Sequence, residues 1–148
     1  MKSLLKLLYP LEKIEIKIPE YKKRNKGGCV IYCLANILNR DPKEIASQIN
    51  KPLDYWFNER EILELEKVFP IKVENYKREK VIESLRNGKP VVFCFYNHCV
   101  VCYGYEKKKD LKFYIFDISG KFKNEKERNL KNIDIILIRN ETNLSEEF

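Results

Sequence analysis

The sequence contains one glutamine (Gln48), one threonine (Thr142), one tryptophan (Trp56) and one histidine (His98), and it holds only five glycines and six prolines in 148 residues. So little glycine and proline excludes collagen-like and low-complexity chains, and a 44 % share of hydrophobic residues excludes a disordered one. No stretch approaches eighteen uninterrupted apolar residues, so no membrane span is predicted. The first nine residues place lysines around Leu4-Leu5 and Leu7-Leu8 but lack a long apolar core and a small-residue cleavage site. They read as an amphipathic turn packed on the domain rather than a signal peptide or a membrane anchor, and the expected location is cytoplasmic.

A chain of this length buries roughly 68 to 70 % of its unfolded surface as one unit. A single domain over residues 1–148 is therefore predicted, with 1–20 as an N-terminal extension and edge strand and 140–148 as a disordered tail. The net charge is +7, from 29 basic and 22 acidic residues. Apart from the runs at residues 21–26 and 107–109 the lysines are spread along the chain, as on solvated loops. A nucleic-acid footprint gathers basic groups on one face with aromatics or a known motif, so the charge argues against a nucleic-acid partner. Steep salt dependence of polyanion binding is the signature that reading would need.

Five cysteines, an odd number without a secretion signal, argue against a disulfide framework. Zinc is the next possibility, because Cys29 with Cys33 and Cys99 with Cys102 form two pairs near His98. On a strand, however, a spacing of three sends Cys99 and Cys102 to opposite faces, which argues against a shared metal.

Along the chain, Ile14, Ile16 and Ile18 alternate with charges in a short edge strand ended by Pro19. A polar loop then closes with Gly27-Gly28, and Cys29 to Asn39 is an almost wholly apolar run of helical length, predicting a central buried helix. Asp41-Pro42 with Glu44 starts a second helix reaching about Asn50, and Asn58 with Glu61 repeats the capping pattern. Ile71 to Tyr76 reads as a strand and Lys77 to Asn87 as a helix stopped by Gly88 and Pro90. From Pro90 the period changes: Val91–Tyr96, Cys99–Tyr105, Leu111–Phe116 and Ile133–Ile138 are β-branched and aromatic runs, predicting an antiparallel meander. Helices first and strands afterwards indicate an α+β fold.

Cys29 falls at the first turn of the buried helix, where free backbone amides and the helix dipole favour a thiolate and where the same amides can donate to an oxyanion. Its alternative role is that of a small core residue, which suits Cys33 one turn further in. His98 opens a strand, where its ring can face the mouth of a cleft and supply the base a cysteine nucleophile needs. Asp117 ends the following strand and can fix the imidazole, or else bond only to the turn amides after it. Trp56 and Tyr55 are candidates for an aromatic cleft wall or for anchors between helices.

Taken in order, Gly28-Cys29 with Ile31-Tyr32-Cys33-Leu34-Ala35-Asn36-Ile37-Leu38, Gly88-Lys89-Pro90-Val91-Val92, His98-Cys99-Val100-Val101-Cys102-Tyr103-Gly104-Tyr105 and Phe116-Asp117-Ile118-Ser119-Gly120 resemble the papain-like cysteine peptidases related to bacteriocin-processing, double-glycine peptidase domains. The likeness spans residues 25–120. It implies a papain-like α+β fold, with an N-terminal helical half packed on a C-terminal antiparallel sheet. It also implies a peptide or protein substrate, no metal or organic cofactor, and a triad of Cys29 as nucleophile, His98 as base and Asp117 as orienter. Two positions depart from the pattern. Val30 stands where the family has glycine, and Lys23, six residues before Cys29, stands where the family has the glutamine that completes the oxyanion hole. Asn25 is the candidate replacement donor. The same departures raise the alternative of a catalytically impaired domain that binds a peptide or protein in the former cleft.

Overall fold

The computed structural model describes residues 11–23 and 28–140. The N-terminal amphipathic turn, Asn25 and the expected tail beyond Asn140 lie outside the described residues. The chain runs β1 (Glu12–Glu15), α1 (Cys29–Leu38), α2 (Pro42–Ile49), α3 (Glu59–Glu64) with a 3₁₀ turn at Leu65–Lys67, β2 (Ile71–Asn75) and α4 (Arg78–Arg86). Then come β3 (Val91–Cys94), β4 (Cys99–Lys107), β5 (Leu111–Asp117), β6 (Lys121–Lys126), a 3₁₀ turn at Glu127–Asn129 and β7 (Ile135–Arg139). This is an α+β fold with all strand pairs antiparallel, ordered β2-β7-β3-β4-β5-β6, with β1 added alongside β4. Among the described residues, no helix is long and apolar enough to cross a membrane.

The starts of α2 and α3 follow from side-chain chemistry. Asp41 accepts from the Lys43 amide at 2.8 Å ahead of Pro42, and Asn58 and Glu61 form a reciprocal capping box ahead of α3. The expected meander holds from β3 to β5 but not beyond. The last strand, β7, returns between β2 and β3 instead of pairing with β6. The strand β6, Lys-Phe-Lys-Asn-Glu-Lys, was not expected, because only Phe122 in it is apolar. It exists through its ladder to β5 and through Phe122, whose ring lies 4.8 Å from Phe116 and 5.7 Å from Tyr103.

Each face of the sheet carries its own core. Cys94, Cys99, Val101, Phe116 and Leu137 pack against α1, α2 and Ile62 of α3. On the opposite face Phe93, Val100, Cys102, Phe113 and Ile136 pack against Val81 and Leu85 of α4. Cys99 and Cys102 thus belong to different cores, as their spacing on a strand requires. The long strand β4 shares one edge between two partners, β3 along Cys99–Cys102 and β1 along Gly104–Lys107. A Cβ on Gly104 would stand 2.2 Å from the Ile14 carbonyl oxygen, so only glycine admits β1 there.

Candidate active site

Gly28 sets the start of α1. It adopts φ 75°, and a Cβ on it would stand 2.2 Å from the Leu53 carbonyl oxygen, so both its dihedral and its contact demand glycine. Among the described residues no side chain caps the helix, which leaves the first-turn amides to other partners. The segment before the helix is held by Asn36, a buried side chain on α1. Its amide donates to the Tyr21 and Tyr32 carbonyls and its oxygen accepts from the Tyr21 N–H, all at 2.9 Å. Polar groups buried this way are costly unless paired, and here each is paired.

His98 is the last residue of the turn joining β3 to β4. Its carbonyl accepts from the Phe95 N–H at 2.7 Å, closing a hairpin around Tyr96-Asn97. Asp117 ends β5, the strand on the other side of β4, and the register Val101↔Phe116 brings it to the same end of the sheet. There His98 Nε2 and Asp117 Oδ2 lie 2.9 Å apart. The second carboxylate oxygen accepts from the Ser119 amide at 3.0 Å, so the carboxylate makes both bonds that the sequence left as alternatives. Burial opposes its ionisation, but the Ser119 amide and the His98 ring outweigh it and hold the carboxyl below its usual range.

Cys29 and His98 line one cavity of about 350 Å³. Trp56 and Tyr96 stand at its rim, 59 % and 93 % exposed. Tyr55 instead packs edge-on against Phe57 and hydrogen-bonds Glu61, so of the two candidate wall residues only Trp56 lines the space. Among the described residues the walls carry Glu59 and Asp134 but no lysine or arginine, although the chain as a whole is basic.

The electrostatics of Cys29 differ from expectation. The Cys99 amide and, less strongly, the Val30 amide at the helix start do favour the thiolate. They are outweighed by the neighbouring Cys99 thiol and by burial, so the pKa is pushed far up rather than down. Cys99 donates to the Cys94 sulfur, 3.3 Å away. The neighbouring Cys29 thiol favours the Cys99 thiolate, yet Cys94 and burial raise the Cys99 pKa well above the ordinary range. Three thiols, Cys29, Cys94 and Cys99, thus line one cavity, and the Cys99 thiol donates to Cys94. Sequence reading missed this cluster. The signal was present in two cysteines flanking a four-residue turn, which an antiparallel hairpin sets opposite each other. Cys33 is fully enclosed, and burial raises its pKa.

Lys23 does not line the cavity. Its N–H donates to the Ile118 carbonyl at 2.7 Å and its ammonium sits 5.9 Å from the centre of the Tyr32 ring. Among the described residues, no group of three or more His, Cys, Asp or Glu side chains is placed to hold a metal ion. A family model, that of the Peptidase_C39 like family, matches residues 15–141. No curated protein and no solved structure matched the chain.

Proposed function

Because the chain belongs to the Peptidase_C39 like family, we propose that it is a cysteine peptidase of papain-like fold, acting on a peptide or protein through Cys29, His98 and Asp117. The reading rests above all on the 2.9 Å contact between His98 Nε2 and Asp117 at the cavity that Cys29 shares. With Nε2 committed to the carboxylate, Nδ1 is the ring nitrogen left for the thiol. The Cys29 side chain turns from Cys99 towards the imidazole, which takes its proton. The sulfur then attacks the scissile carbonyl, and the imidazolium returns the proton to the leaving amine. Water enters next and hydrolyses the thioester with His98 again as base. The oxyanion faces the Cys29 amide, and the Asn25 carboxamide stands in for the glutamine that Lys23 replaces.

The test is labelling by a peptidyl electrophile. Cys29→Ala should remove the label and leave the far-ultraviolet spectrum unchanged; a label on Cys33 or Cys94 would refute the assignment. Asn25→Ala should slow labelling by about a hundred- to a thousandfold, the usual cost of one oxyanion donor.

A second reading is a binding domain whose nucleophile is silent. It is favoured by the thiol contact that holds Cys29 protonated and by Lys23 standing away from the cavity. A silent domain binds a peptide with the same affinity before and after Cys29→Ala and never takes the label.

A further inference from the structure

Peptide cleavage requires only Cys29 of the five cysteines, yet Cys94 and Cys99 line the same cavity. Their placement across the hairpin is specific. Phe95 and His98 form a hydrogen-bonded pair, so in the alternation of an antiparallel ladder the next pair, Cys94↔Cys99, is of the non-hydrogen-bonded kind. The Cys94 carbonyl indeed turns away, accepting from the Asp134 N–H at 3.0 Å. Non-hydrogen-bonded pairs hold their Cα atoms about 4.5 Å apart, inside the range a disulfide spans. The two sulfurs stand 3.3 Å apart and need only side-chain torsion to reach the roughly 2.0 Å of a bond. Both side chains are almost fully buried, 2 % and 3 % exposed, so bulky oxidants are excluded and the cavity is the route in. Cys29, half-buried at that opening, is the first thiol an entering oxidant meets.

We propose that Cys94 and Cys99 are a resolving dithiol that takes an oxidising equivalent off Cys29 and stores it as a cross-strand disulfide. The oxidant is a small hydroperoxide. The Cys29 sulfur attacks its distal oxygen; the S–O bond forms, the O–O bond breaks and the Cys29 proton passes to the leaving oxygen, so Cys29 becomes a sulfenic acid and the peroxide leaves as an alcohol, or as water when it is hydrogen peroxide. Cys99, which lines the same cavity, attacks the Cys29 sulfur; an S–S bond forms, the S–O bond breaks, and hydroxide leaves with the Cys99 proton as water. Cys94 then attacks the Cys99 sulfur; the Cys94–Cys99 bond forms, and Cys29 departs and recovers its thiol with the Cys94 proton. Sulfur is oxidised by two electrons in all, peroxide is reduced by two, and an external dithiol resets the pair by exchange. The sequence keeps Cys29 from the irreversible sulfinic acid. It requires only that Cys29 be the thiol that peroxide reaches, not that Cys29 cleave peptides.

The test treats the reduced full chain with one equivalent of hydrogen peroxide, blocks free thiols under denaturing conditions and maps the peptides by mass spectrometry. The expected product is a Cys94–Cys99 disulfide with Cys29 alkylated. In Cys94→Ser the reaction should stop at a Cys29–Cys99 disulfide. A wild-type chain that accumulates Cys29 sulfinic acid while Cys94 and Cys99 both take the blocking reagent overturns the proposal. A wild-type chain that stops at Cys29–Cys99 also overturns it, since Cys94 then resolves nothing. Formation of the Cys94–Cys99 disulfide in a chain whose Cys29 ignores the peptidyl electrophile upholds the dithiol and overturns the peptidase alone.

Discussion

An aspartate that orients an imidazole has a second oxygen to satisfy, and Asp117 gives it to the Ser119 amide, so the carboxylate is fixed from both sides. In Asp117→Asn the carbonyl oxygen of the amide keeps the Ser119 bond, and its NH₂ then faces His98 Nε2. That favours the tautomer with the proton on Nδ1, the nitrogen that the proposed mechanism needs free to take the Cys29 proton. Labelling by a peptidyl electrophile should fall by about a hundred- to ten-thousandfold, the span of general-base catalysis, with the fold intact. The depressed carboxyl also has a stability consequence. A group whose folded pKa lies below its unfolded value stabilises the fold above the unfolded value, and the contribution is lost as pH falls through the folded one. Acid unfolding of the wild type should therefore lose a component below about pH 4 that Asp117→Asn lacks. Cys99 supplies the complementary experiment. Replacing it with alanine removes the leading cause that holds Cys29 protonated. Each unit by which the Cys29 pKa then falls raises the thiolate fraction tenfold, while lower basicity returns part of the gain, for a net rise of about three- to fourfold in alkylation rate near pH 6. An unchanged rate would mean that Cys99 does not restrain the nucleophile. At this scale the sequence was readable for Cys29, His98 and Asp117 as candidates, because each stands at the end of an element whose period is plain. The approach of Cys29 to the Cys94–Cys99 pair was not, because it depends on the way α1 leans on β4.

Helices α2 and α3 were legible because their ends are written in side-chain hydrogen bonds: Asp41 before Pro42, and Asn58 with Glu61. The strand β6 was not, since its charged sequence gains its conformation from the neighbouring strand, and neither was the return of β7 between β2 and β3, since hydrophobic pattern sets a strand's face but not its neighbour. The cap at Asn58 has a functional reach, because Trp56, Phe57 and Asn58 form one wall of the cavity immediately ahead of α3. Asn58→Ala removes the acceptor for the Glu61 amide and should cost about 1 kcal/mol of stability. The freed segment should weaken peptide binding more than the chemical step, raising KM with kcat little changed. A fall in kcat with KM constant would instead mean that this wall acts on the reacting atoms.

On the scale of the whole molecule, the sheet separates two cores with different duties. The face packed on α1, α2 and Ile62 carries Cys94 and Cys99, and it meets the cavity through Cys29, Val30 and Ile135. The face packed on α4 holds Leu85 fully buried among Phe93, Val100, Phe113 and Ile136, and Leu85 does not reach the cavity. Close packing makes large-to-small truncation costly on either face, about 2–5 kcal/mol for leucine or isoleucine to alanine. The functional result should differ by face. Leu85→Ala should lower the unfolding midpoint and leave the labelling rate of Cys29 per folded molecule unchanged, because the intact strands β3 and β4 stand between its cavity and the site. Ile62→Ala opens a void directly against the site and should lower both. If Leu85→Ala slows labelling at temperatures where the chain remains fully folded, the sheet is transmitting strain between its faces and the two cores do not act as separate bodies.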